Sequence, residues 1–159
     1  MLVFEIKGEA VKSVMNQLLK GVAFDGFLVR GIEICTITKF EISGILDKSF
    51  LSGNQSDLSG RNFCLWSELK PYAFGLIKGS KKPKSIKIVF SLPDSQAQAI
   101  HENAAAMFLN LSFEEEKLIL SAAASQKNFS LDKTMLLMWE GRVRDFFKDN
   151  GWPVSTLSQ

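Results

Sequence analysis

The first 46 residues, MLVFEIKGEAVKSVMNQLLKGVAFDGFLVRGIEICTITKFEISGIL, decide the fold of this chain. Leu2 to Ile6 is rich in β-formers and reads as a strand. In the next stretch Ala10, Val11, Val14, Met15, Leu18 and Leu19 recur at the spacing of one helix face, with Lys12, Asn16, Gln17 and Lys20 opposite. Gly21 follows the last apolar pair, where a residue without Cβ enters the left-handed region cheaply, so the helix is expected to stop there. From Phe24 to Leu46 the period drops to two, giving two or three strands. Ile32, Ile34, Phe40, Ile42 and Leu46 take alternating positions among Glu33, Lys39, Glu41 and Ser43, and Gly26 and Gly31 are expected breaks. That pattern fits an antiparallel sheet with one solvated face and disfavours a parallel sheet buried on both. Met1 to Leu46 is thus one β-α-β-β unit.

Outward from this unit, Leu51 to Arg61 gathers Ser, Gly, Asn, Gln and Asp, the composition of a loop. A helix is expected from Trp66 to about Lys78, with Pro71 in its first turn, Gly79 as its stop, and Ala73, Leu76 and Ile77 facing inward. Ser85 to Leu92 alternates as a strand ended by Pro93, and Asp94 is expected to cap a short helix reaching about Asn103. Met107 to Phe113 and Lys117 to Ser121 flank Glu114, Glu115 and Glu116 as a meander, and Asn128 to Leu131 is expected to add a last short strand. Asp132 is the expected N-cap of a final helix ended by Asn150, Gly151 and Pro153. Its apolar stripe is Met135, Leu136, Trp139, Val143, Phe146 and Phe147. At about 1.5 to 3 kcal/mol for each large side chain fully buried, such a stripe favours docking over a flexible tail.

The fold class is therefore α+β: a single domain of antiparallel strands with two amphipathic helices, plus a C-terminal helix. The body spans 1–131, the C-terminal helix 132–151 docks on it, and 152–159 is a tail. At 159 residues with 46% apolar content, the chain suits one core. Nineteen Lys and Arg against seventeen Asp and Glu leave +2, too little for bulk charge to imply a nucleic acid or a membrane. Cys35 and Cys64 lie far apart with no CxxC spacing, and Met1-Leu2-Val3-Phe4-Glu5 lacks the features of a leader. The expectation is a reduced, soluble, cytoplasmic chain with no membrane association.

Few motifs point to chemistry. His101 is the single histidine, which excludes a multi-histidine metal site, and its short polar helix suggests exposure. No GxSxG elbow or cysteine signature supplies a nucleophile with its base. Glu114 to Glu116 cannot all point to one side of a strand, so they read as a polar turn. Gly75-Leu76-Ile77-Lys78-Gly79-Ser80-Lys81-Lys82 has three residues between its glycines where a phosphate loop needs four, and no strand precedes it. Trp139 reads as core, and Trp152, beside Pro153, as either partly exposed or a contact past the helix end. No metal, cofactor or catalytic set is expected. The one charge concentration is Lys78, Lys81, Lys82, Lys84 and Lys87, which reads either as a solubilising turn or as a phosphate-neutralising loop.

The order of elements resembles one domain of the DNA sliding clamps, the processivity-factor family. The likeness is carried by Met1 to Ile6 leading into Val11 to Leu19, by Gly31-Ile32-Glu33-Ile34 followed by Phe40-Glu41-Ile42, and by the helix after Trp66 leading into Ile86 to Phe90. The resemblance implies a clamp-like layout over residues 1–131 and paired helices presenting basic side chains to DNA. Lys12 and Lys20 on the first helix, with Lys70 and Lys78 on the second, stand at the matching positions, and Lys81, Lys82 and Lys84 extend the set. Clamp chains join two or three such domains, so a ring here would need self-assembly. Phe129-Ser130-Leu131-Asp132-Lys133, with Trp139 and Phe146-Phe147, also resembles a small bacterial family of cytoplasmic proteins with no assigned function.

The leading expectation is a non-enzymatic domain that binds itself as a homo-oligomer, a protein partner or, weakly, a nucleic acid. The alternative is a small-molecule-binding or enzymatic domain with a pocket of dispersed polar groups, around Glu5, Arg30 or Arg61. A third reading is a structural subunit, for which an exposed apolar patch on the last helix would be the sign.

Overall fold

Apolar residues repeating every second position line up across strands, and these rows build the molecule. The computed structural model describes residues 2–50, 60–78 and 82–158. Along the chain these form β1 (Leu2–Ile6), α1 (Glu9–Leu19), β2 (Leu28–Cys35), β3 (Lys39–Ser43), β4 (Cys64–Leu65), α2 (Trp66–Ile77), β5 (Ser85–Ser91), α3 (Asp94–Ile100), β6 (Ala104–Glu114), β7 (Lys117–Gln126), α4 (Thr134–Asp149) and β8 (Ser155–Ser158). The strands make one eight-stranded sheet in the order β3-β2-β5-β6-β7-β1-β8, with β4 also on β2, and every pairing is antiparallel. The result is a single α+β domain, as its sequence pattern implies.

Ile34, Ile86, Phe113, Leu118 and Ile6 form one row across five strands, and Ile32, Ile88, Leu111, Leu120 and Phe4 form the next. The helices cover this face. Trp66 of α2 meets Phe90 edge-on at 5.6 Å, and Phe147 of α4 meets Phe4 at 5.1 Å. Phe24, in the turn after α1, stacks on Phe90 at 5.3 Å and on Trp152 at 5.7 Å. On the opposite face the row Glu33, Lys87, Ser112, Ile119 and Glu5 is mostly polar, the solvated side of the sheet.

Local differences from the sequence reading have physical reasons. The glycine with left-handed geometry at α1 is Gly8 before it (φ 69°), not Gly21 after it; the end of α1 is closed by the Lys20 and Gly21 amides donating to the Asn16 carbonyl. Gly31 lies inside β2, which continues through it, and marks a register shift in the pairing with β5 rather than a strand end. Pro71 sits mid-helix, beyond the first turn of α2, and the expected stop at Gly79 lies outside the described residues. Asp94 is the first residue of α3 rather than its cap. The Asp132 carboxylate accepts from the amide and hydroxyl of Thr134 at 2.9 and 2.7 Å, a turn one residue ahead of the helix, whose N-cap position is Lys133.

Asn128 to Leu131 is not a strand. Asn103 holds the Asn128 amide and carbonyl with its side chain, and Gln126 does the same for Ser130, so side chains satisfy the backbone groups a strand partner would take. The expected tail ends instead in β8, paired with β1, and Trp152 is 4% exposed, its indole N–H donating to Ser13 at 3.1 Å.

Candidate functional site

The two amphipathic helices lie side by side and antiparallel. The Trp66 indole at the start of α2 donates to the Leu18 carbonyl near the end of α1 at 2.7 Å, while Val11 and Lys12 near the start of α1 line one cleft with Ile77 at the end of α2. Trp66 and Lys70 thereby serve the carbonyls that the end of α1 leaves unpaired. Lys70 donates to the Gly21 carbonyl at 2.8 Å and pairs with Asp25 at 2.7 Å.

This geometry divides the predicted lysines. Lys70 is committed to holding α1 and is not presented outward. Lys12, Lys20, Lys78 and Lys84 are exposed, and Lys82 is exposed but paired with Glu116. Lys12, Lys78 and Lys82 share one end of the helix pair, Lys20 stands at the other, and Lys81 lies outside the described residues. Lys87 points to the open sheet face beside Glu33. Lys12 and Lys82 rim a cleft of about 380 Å³ whose floor is Val11, Met15, Ile77, Pro83, Ile86 and Phe113. Lys82 hydrogen-bonds Glu116, and with Lys12 nearby holds its carboxyl below the usual range. The outward face of α2 carries Ser67, Glu68, Pro71, Tyr72 and Gly75, with no cation before Lys78.

A second concavity lies at the end of the sheet, between β2, the segment that leads into α2 and the start of α3. The register shift between Val29 and Gly31 leaves Arg30 as an extra residue in β2. Its guanidinium stands 4.0 Å over the Phe63 ring and 5.2 Å from that of Phe108, and its Nε–H donates to the buried Ser91 hydroxyl at 3.1 Å. Arg61 lines the same cleft of about 600 Å³ and forks onto Glu68 at 2.8 and 2.7 Å. That fork, chiefly through its hydrogen bonds, lowers the Glu68 carboxyl below its ordinary value. The structure thus brings Arg30 and Arg61 together. Glu5 does not join them: three strands separate β1 from β2, and Glu5 pairs with Lys7 at 3.5 Å.

The groups weighed for chemistry are otherwise engaged. Burial, and then the charge of Glu68, push the Cys64 thiol up, away from thiolate. His101 accepts the Asn103 amide on Nδ1 at 3.1 Å. Glu115 and Glu116 form the tip of the β6–β7 hairpin, both with positive φ.

Large apolar side chains stand outward around the start of α4: Phe129 and Leu131 from the segment expected as a strand, and Leu137 and Met138, which the sequence pattern leaves unplaced. Phe129 is 87% exposed, Leu131 83%, Leu137 64% and Met138 43%. Their signal was in the sequence, since 137 and 138 fall off the stripe that docks the helix.

Fold and surfaces define a two-layer α+β domain with an open sheet face and a helical face. Residues 17–154 match a family of unknown function (DUF5721), and the chain belongs to it. Neither the curated proteins nor the solved structures contain a match to the chain, sliding clamps included, so the clamp resemblance rests on element order alone. Among the described residues no helix is long and apolar enough to cross a membrane.

Proposed function

We propose that the protein acts by binding another protein rather than by catalysis, and that a second copy of the chain docks on the surface at the start of α4. The observation that carries this is the clustering of exposed Phe129, Leu131, Leu137 and Met138 within ten residues. Apolar groups that contribute nothing to the core, gathered in one segment, are the mark of an interaction surface. Beside them a concavity of about 620 Å³ lined by Leu2, Leu136, Leu137 and Gly141, with Lys133, Glu140 and Arg144 at its rim, offers apolar contact inside a charged border. The commitments of Cys64 and His101 support a role without a nucleophile or general base.

Light scattering after size exclusion, across protein concentrations, tests this. A discrete oligomer is expected, dissociated by Leu131→Asp with Leu137→Asp while circular dichroism stays unchanged. A monomer at every concentration refutes self-association.

The exposure of Lys12, Lys20 and Lys78 on an antiparallel helix pair favours a second reading, the nucleic-acid contact implied by the clamp resemblance. The inward commitment of Lys70 and the cation-poor face of α2 weaken it. Fluorescence anisotropy with duplex DNA at low salt decides: without salt-dependent binding that Lys12→Ser and Lys78→Ser reduce, this reading falls.

A further inference from the structure

We infer that the cleft at Arg30 is a binding site for a small oxyanion, the carboxylate or phosphate group of a soluble ligand. This site is independent of the surface at α4.

Arg30 has an immobilised guanidinium whose charge is left unpaired among the described residues. Among the described residues none of the carboxylates pairs with it, whereas Arg61 beside it is met by Glu68. Its Nε–H is taken by Ser91, but the N–H groups of its two terminal nitrogens have no protein acceptor among the described residues. No side-chain polar atom buried from solvent lacks a partner among those residues, so these terminal nitrogens reach solvent. Phe63 and Phe108 fix the plane of the group. A planar fork held in one orientation, with its outer edge open, matches two oxygens of a carboxylate or phosphate. Such preorganisation removes the ordering cost that a surface arginine carries into binding.

The wall supports a ligand of modest size. The cleft of about 600 Å³ lies within the range of small-molecule sites. Asn62, Ser95 and Gln98 line it with neutral hydrogen-bonding groups, and Asp94 adds one acid. An oxyanion that also carries a hydroxyl or amine donor uses both kinds of group. A bulge in β2 is what aims Arg30 there, and bulges re-aim side chains beside functional sites.

Proton–nitrogen correlation spectra that resolve the arginine Nε–H signals test the assignment. The full chain is titrated with inorganic phosphate and, separately, acetate, at ionic strength matched with sodium chloride. The Arg30 Nε–H signal is expected to move saturably with at least one anion, and the anion that saturates first tells phosphate from carboxylate recognition. Arg30→Lys keeps the charge and removes the fork, and should weaken binding by about tenfold or more. Ser91→Ala, a smaller change that frees Nε, should weaken it as well, and Lys12→Ser should leave it unchanged. If neither anion saturates by concentrations on the order of tens of millimolar, or Arg30→Lys binds as the native chain does, the site is refuted. A lower melting temperature in the variants without saturable binding in the native chain assigns Arg30 to packing alone and equally overturns the proposal.

Discussion

Replacing Trp66 with phenylalanine tests how the two helices are joined. Trp66 is fully buried, and its indole N–H reaches the Leu18 carbonyl, one of the groups the end of α1 cannot pair internally. Phenylalanine keeps the edge-on contact with Phe90 but removes the donor and leaves a void where the second ring stood. An orphaned buried carbonyl costs about 1 to 3 kcal/mol. The void adds roughly 1 to 2 kcal/mol, at the lower end of large-to-small core substitutions because one ring remains. The sum is about 2 to 5 kcal/mol, a large part of the 5 to 15 kcal/mol typical of a domain. For a chain of this length each kcal/mol lowers the melting temperature by roughly 2 to 4 °C, so a loss of at least about 4 °C is expected. Urea unfolding of both proteins, with equal slopes, gives the free-energy difference directly. A loss below about 1 kcal/mol would refute the claim that the indole closes α1.

Gly44→Ala should fail to fold or lose more than about 3 kcal/mol, because a Cβ at Gly44 would lie 1.7 Å from the Val29 carbonyl oxygen where β3 hands over to β4; a native melting temperature contradicts this close approach. Glu115→Asn should raise stability by roughly 0.5 to 1 kcal/mol, since Glu115 and Glu116 both hold positive φ in a two-residue hairpin turn and asparagine enters that region more easily; unchanged calorimetric melting argues against strain there. Acid should destabilise the protein. The carboxyls of Glu68, Glu33, Glu116, Asp47 and Asp132 are all lowered, so their stabilisation is full above the unfolded values and is lost as pH falls through the folded ones. Urea midpoints should therefore fall below about pH 4.5, less so in Glu68→Gln, and midpoints flat from pH 7 to 3 would contradict it.

Periodicity made most of the fold legible. Ile86, Ile88 and Phe90 announced β5, and Met135, Trp139, Val143 and Phe147 the buried side of α4, because a residue's face follows from spacing alone. Errors arose where a side chain, rather than spacing, decides the backbone. Asn103 and Gln126 turn residues 128–131 into a loop, and no local pattern reveals that Asn128 finds its partner 25 positions away in Asn103. The final segment read as a tail because a four-residue strand with one large apolar side chain carries little signal. Its order comes from Trp152, anchored on Ser13 and Phe24.

Charge was the least legible property, since a cation's role depends on what meets it. Lys70 and Lys12 occupy similar positions in the sequence of an amphipathic helix, yet one is held by Asp25 and a helix-end carbonyl while the other faces solvent. Arg30 and Arg61 show the same divergence within one cleft: Glu68 takes the fork of Arg61, whereas among the described residues Arg30 meets only rings and a hydroxyl. Aromatic faces attract a guanidinium above and below its plane, but they do not satisfy the donors at its edge. Those in-plane donors are what distinguish Arg30 from a cation engaged in structure, and they make an oxyanion the complementary ligand.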